Sequence, residues 1–376
     1  MNKQSLKQPE KPMRNSSIEL LRILSILMIV FHHFAFHGGF QFENTDLSIT
    51  RFWYNLIVMG GKLGVDIFIF ISGYFLVTDN KGLFNIKKTL RFWGQVFFYS
   101  VTIFAIFIFT GLKEINLTTI RQAFFPLTYS TWWFASVYFI LFLIHPFLNI
   151  FIHKLDKKSY QIMLIMFLLC GCIIPTFFES SFQGNNLTWF FIIYFLAGYI
   201  RLYGLSPKFT VKHYAILAVV SLLTIYILST FLTLLGTKYE YFSKRTGYFN
   251  GIEKLPVLIA AVCIFMLFSS IKIKSNVINR IATTCFGVYL IHDHPFIRRF
   301  IWDTLFKNAT YQNSWKLIPY SVIVVLSVYA VCAIIDFVRQ HLFEKPFMKV
   351  VDKKEEKYTK TIENIVDKLS AILFGQ

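Results

Sequence analysis

Apolar runs of about twenty residues recur from one end of this chain to the other, and nothing else in it narrows the possible folds so far. A helix of that length rises about 30 Å, the thickness of a bilayer's hydrocarbon core. The chain has 376 residues, of which 55% are hydrophobic and 19% aromatic, and only 15% are charged, where a soluble domain carries about 25%. The expected fold is therefore all-α, a polytopic integral membrane bundle of about ten helices. The runs fall at 16–37, 53–77, 90–112, 132–153, 159–178, 186–203, 213–236, 255–271, 281–300 and 317–339. Residues 1–15 form a cytoplasmic tail, 16–345 the membrane domain and 346–376 a cytoplasmic tail. In that last tail Tyr358, Ile362, Ile365, Val366, Leu369, Ile372 and Leu373 recur at helical spacing among Lys and Glu, the pattern of an amphipathic helix on the inner leaflet or on the bundle. No soluble domain is expected to be appended. The first run is too long for a cleaved signal, and it carries titratable residues that a discarded peptide would not need.

A net charge of +18 raises the question of nucleic acid, but its distribution answers it. With the N-terminus inside, the inner loops and tails hold 25 Lys and Arg and the outer segments 11, while Arg22 and Lys62 lie within spans. That asymmetry obeys the positive-inside rule with both termini cytoplasmic. The basic charge sets topology and attracts anionic headgroups or a phosphorylated cofactor; no nucleic-acid partner is expected. The outer loops near 238–254 and 298–316 are more basic than the rule prefers. All five cysteines fall inside spans, and none has the His or Cys spacing of a zinc site. No metal is expected.

Within the first span Arg22 and His33 are eleven residues apart. At about 100° per residue that is roughly three whole turns, so they share a face, about 16 Å apart along the axis. Ionisable groups at membrane depth are costly and mark a pathway or a reacting site. His32 points about 100° away, as packing or as a hydrogen-bonding neighbour, and His37 lies one turn above His33. The second span carries Asp66 near mid-membrane and Ser72-Gly73. Asp66 reads either as the partner of an intramembrane cation such as Arg22 or as the carboxylate that orients a histidine. Ser72-Gly73 lets a helix or a ligand approach closely. Lys88 and Arg91, one turn apart at the inner boundary, read as topology signals or as a grip on phosphates. Tyr289 and the run His292-Asp293-His294 end the ninth span at about the level of His33, either solvated at the interface or lining an acceptor site. Trp132-Trp133 reads as an aromatic belt or as a stacking platform for a sugar ring.

Taken together these segments resemble the acyltransferase-3 family, integral membrane enzymes that O-acylate extracytoplasmic polysaccharides. Arg22 followed by His33, the stretch Gly64-Val65-Asp66 through Ser72-Gly73-Tyr74, Trp133-Phe134, and Tyr289 through His292 carry the likeness, which runs from about residue 16 to 345. The resemblance implies that His33 and Arg22 are the essential pair. It also implies that Lys88 and Arg91 stand at the acyl-CoA side, where the family has two arginines; lysine keeps the charge and loses the bidentate phosphate geometry. On this reading the catalytic residues are His33, Arg22 and Asp66, with Lys88, Arg91 and Arg22 holding acetyl-CoA. His292, Trp133, Tyr289 and Ser72 would meet the acceptor, a surface polysaccharide or lipid-linked oligosaccharide of a capsule or exopolysaccharide. The bilayer would be a bacterial plasma membrane. A transporter or flippase for acyl groups or lipid-linked sugars is the rival class, with the same residues forming a proton or anion path. A polysaccharide polymerase is third, disfavoured by the short outer loops. No internal repeat of the transporter kind is evident.

Overall fold

The computed structural model describes residues 15–79, 82–83, 85–180 and 184–375; the basic residues Lys3, Lys7, Lys11, Arg14 and Lys81 lie outside them. Among the described residues there is no strand. The helices are α1 (Ser16–Phe36), α2 (Ile49–Leu76), α3 (Ile86–Phe109), α4 (Leu117–Phe124), α5 (Trp133–Lys154), α6 (Lys157–Leu168), α7 (Ile174–Phe178) and α8 (Asn186–Tyr203). They continue as α9 (Val211–Gly236), α10 (Glu240–Ser243), α11 (Leu255–Ser270), α12 (Asn276–Ala282), α13 (Cys285–His292), α14 (Pro295–Arg299), α15 (Leu317–Arg339) and α16 (Lys345–Phe374).

Eight helical stretches among the described residues are long and apolar enough to cross a membrane. They comprise α1, α2, α3, α5, α6 with α7, α9, α11 with its lead-in, and α15 with its continuation. Two further segments fall where the hydropathy pattern drew the remaining runs, 186–203 and 281–300. One is α8, with 18 residues. The other is the segment from α12 to α14, which is broken rather than one helix. Its inner break falls at Thr283 and Thr284, whose hydroxyls donate to the carbonyls of Arg280 and Ile281, each at 2.8 Å, offering the backbone an alternative to the helical ladder. The outer break falls at Asp293 and His294, because Pro295 pushes the residue before it into extended backbone (His294 ψ 133°). The chain is thus a multi-pass membrane protein.

The middle of the bundle is α2, which packs on α1, α8, α9 and α11. Small residues make these approaches close. A Cβ on Gly64 would stand 2.5 Å from the Ser25 carbonyl oxygen of α1, and one on Gly61 would stand 2.2 Å from the His32 ring. Gly73 meets the Tyr194 backbone and Ala197 of α8 in the same way, at 3.2–3.3 Å, so the expected close approach at Ser72-Gly73 is by a helix. Because a backbone oxygen cannot swing aside, Gly64→Ala should destabilise the bundle by about 1–3 kcal/mol. Thermal melting in detergent, followed by gel filtration, should show a lowered midpoint; an unchanged one would mean that α1 and α2 slide apart freely.

At the inner ends, Ser16 and Ser17 tie the start of α1 to the 271–275 turn, the Ser17 hydroxyl donating to the Ile271 carbonyl at 2.6 Å. Asp156 caps α6, and hydrogen bonds from the Ser159 hydroxyl and amide hold its carboxyl below the ordinary carboxylate range. The amphipathic α16 leaves the bundle with Phe347 against Gly94 and Asp352 paired to Lys87 at 2.5 Å. Further along it, Ile365, Val366, Leu369, Ile372 and Leu373 are exposed, an apolar stripe of the kind that lies in a membrane interface.

Candidate active site

Arg22 and His33 do share a helix face, and each opens into a chamber of its own. The inner chamber, about 470 Å³, is lined by Arg22, Ser72, Lys88, Arg91, Tyr138 and Arg339, among others. The outer one, about 40 Å³, is lined by His32, His33, Lys62, Trp133, Phe134 and Tyr289 with several aliphatic residues. Phe68 of α2 and Phe286 of α13 belong to both linings, and the Arg22 guanidinium lies 5.8 Å from the Phe68 ring centre. The single continuous route suggested by helical spacing is therefore two chambers meeting at a phenylalanine pair.

In the inner chamber the cations come already partnered. Arg22 pairs with Glu19 at 3.1 Å, Lys88 with Asp79 at 2.5 Å, and Arg91 with Glu344 at 2.5 Å. Glu344 also takes Arg339 at 2.7 Å. Behind them Asp336, with no exposed surface, accepts from Tyr99 at 2.7 Å, Gln95 at 3.2 Å, Arg339 at 2.8 Å and Gln340 at 2.7 Å. A buried carboxylate is tolerated when its lone pairs are filled in this way. The backbone of α13 comes close to this carboxylate, since a Cβ on Gly287 would stand 2.1 Å from its carbon.

Behind the outer chamber, around His33, stands a histidine cluster. His33 Nδ1 lies 2.9 Å from His292 Nε2 and 3.6 Å from Asp293 Oδ1. Asp293 Oδ1 is also 3.9 Å from His37 Nε2 and 3.5 Å from Arg298. His292 is the last residue of α13, and the break beyond it leaves Asp293 beside His33 and His37. His33, His37 and Asp293 bring one potential ligand atom each to within 4.8 Å of one another. Linear spacing gave no hint of this metal-type grouping, although His33 Nδ1 is engaged with His292. His32 lines the same chamber as His33, and its Nδ1 lies 2.8 Å from the Val58 carbonyl oxygen. Tyr289 is buried, with its hydroxyl beside Asp293 but without a well-formed hydrogen bond among the described residues.

Several sequence assignments move. Asp66 is fully buried, and its Oδ1 accepts from the Trp189 indole at 3.0 Å. Neither Arg22 nor His33 is its hydrogen-bonding partner; the carboxylate beside His33 is Asp293, and the one beside Arg22 is Glu19. Ser72 donates to the Phe68 carbonyl at 3.0 Å and lines the inner chamber, away from the acceptor side. His292 lines neither chamber and stands behind His33. Trp132 is no belt residue: it is buried, and its indole donates to the Leu290 carbonyl at 3.1 Å. Trp133 does face the outer chamber, but the Lys62 ammonium sits 4.8 Å from its ring centre. Sequence reasoning passed over Asp336, Arg339, Glu344 and Lys62. Asp336 inside the tenth span and Lys62 inside the second carried the signal, as ionisable residues at membrane depth.

One helix thus joins a carboxylate-flanked histidine to a cation-lined inner chamber. Comparison with curated proteins and with solved structures returned no match. A family model described as an acyltransferase domain does match, over residues 15–337, taking in the outer chamber and the inner one short of Arg339, Gln340 and Glu344. The chain belongs to the acyltransferase-3 family and is a membrane acyltransferase.

Proposed function

We propose that the protein moves an acetyl group from cytoplasmic acetyl-CoA to a hydroxyl of an extracytoplasmic surface polysaccharide, capsule or exopolysaccharide, in a bacterial plasma membrane. A lipid-linked oligosaccharide precursor is the same chemistry at an earlier stage. One observation carries the reading: the inner chamber around Arg22 and the outer chamber around His33 share the walls Phe68 and Phe286. A donor held from inside can then meet an acceptor arriving from outside.

Lys88 and Arg91 meet the donor phosphates at the inner mouth, where charge-assisted hydrogen bonds are strongest. The thioester follows Arg22 upward, and its acetyl group passes between Phe68 and Phe286. His33 takes the proton of the acceptor hydroxyl as that oxygen attacks the thioester carbonyl carbon. The new C–O bond forms, the C–S bond breaks, and the thiolate leaves with a proton returned by His33, giving an ester and free CoA thiol. The Tyr289 hydroxyl is a donor for the carbonyl oxygen as it gains negative charge. A volume of about 40 Å³ holds about three water-sized groups, which suits a two-carbon acyl group and not a long chain.

The test uses purified protein, acetyl-CoA labelled in its acetyl group, and de-O-acetylated surface polysaccharide from cells lacking the protein. The expected product is labelled polysaccharide whose label is released by mild base. Movement of label across proteoliposomes with no covalent product would overturn the reading in favour of a transporter.

A further inference from the structure

We infer that His292 is a positioning residue that sets the tautomer of His33 and so leaves Nε2 of His33 as the nitrogen that takes the proton. The inference rests on reading His33 as the base of acyl transfer; it adds which nitrogen acts and what selects it. His292 has no exposed surface. Its Nδ1 lies 2.6 Å from the carbonyl oxygen of Val288, one turn earlier in α13. A carbonyl oxygen only accepts, so Nδ1 carries the hydrogen and donates it. A neutral imidazole has a single N–H, which makes Nε2 of His292 a bare acceptor. That nitrogen is 2.9 Å from His33 Nδ1, so the hydrogen between the rings belongs to His33. Its own single N–H is then spent at Nδ1, and the lone pair stands at Nε2.

One main-chain carbonyl thus fixes two tautomers in series. In hydrolytic triads a carboxylate holds the histidine's second nitrogen. Here an imidazole takes that place, and the carboxylate stands beside it: Asp293 Oδ1 is 3.6 Å from His33 Nδ1, placed to face the imidazolium that forms when Nε2 is protonated. The helix supplies the precision. Val288 and His292 are four residues apart on α13, so the first link cannot drift, and the chain breaks immediately beyond it.

The prediction separates the roles of the two rings. His292→Leu removes the acceptor and should lower kcat about 10²–10⁴-fold, as loss of a correctly oriented base does, with KM for acetyl-CoA unchanged. His292→Gln offers an amide oxygen to His33 Nδ1 and should recover turnover to within about tenfold of wild type. Solid-state nitrogen NMR of the histidine-labelled wild-type protein, which depends on no variant, should find His33 protonated at Nδ1 and bare at Nε2. Protonation at Nε2 instead, or equal losses with leucine and glutamine, would overturn the assignment. An active His33→Ala would sink the base itself; an inactive one beside the reversed tautomer sinks only the part given to His292.

Discussion

Replacing His33 with alanine is expected to lower acetyl transfer by about 10²–10⁴-fold, the usual contribution of a positioned base, while CoA binding stays as in wild type. The proposed donor contacts are with the inner chamber, on the far side of Phe68 and Phe286, so loss of the imidazole should not reach them. In cells, the O-acetyl methyl signals in the NMR spectrum of the surface polysaccharide should disappear. The measurement has to be paired with quantification of inserted protein, because His33 is also packed against His292 and His37. A well-inserted variant that still acetylated fully would remove the basis of the proposed function.

The second large effect concerns stability. Asp336→Ala leaves the buried Arg339 with Glu344 alone, strips Tyr99 and Gln95 of their acceptor and leaves Gln340 only the Thr283 carbonyl. Breaking a buried pair from one side costs about 3–5 kcal/mol, because the remaining charge stays desolvated. The variant should melt well below wild type in detergent and bind CoA poorly, since Arg339 lines the inner chamber. Asp336→Asn keeps one of the two oxygen acceptors and should fall between the two. An alanine variant that melted with wild type would show that water or lipid headgroups fill the place of the carboxylate.

Which parts of this molecule were legible beforehand follows from what helical periodicity encodes. Apolar length reports a crossing, so the spans were readable, and eleven residues between Arg22 and His33 placed both on one face before any fold was known. Periodicity says nothing about which helix lies opposite. Asp66 sits at a plausible depth for a catalytic carboxylate, yet the neighbour on its side is Trp189 of α8. The carboxylate near His33 comes from a position 260 residues later, and only because Pro295 ends a helix that the hydropathy pattern drew as continuous. The proline was in plain sight; its effect on the direction of residues 292–294 was not. Lys88 and Arg91 were readable as a one-turn pair, whereas Glu344, 253 residues beyond Arg91, was not readable as its partner.

That pairing has a consequence for how a charged donor would arrive. Arg22, Lys88, Arg91 and Arg339 each already hold a carboxylate, so at rest the vestibule behaves less like an electropositive sink than like a loaded ion-exchange resin. A phosphate of the proposed donor would have to swap places with Glu344 or Asp79 instead of settling onto naked charge. Simple inorganic anions, offering one weak contact in return for a short carboxylate bond, gain little by the swap, while a polyanion that engages several cations at once gains at each of them.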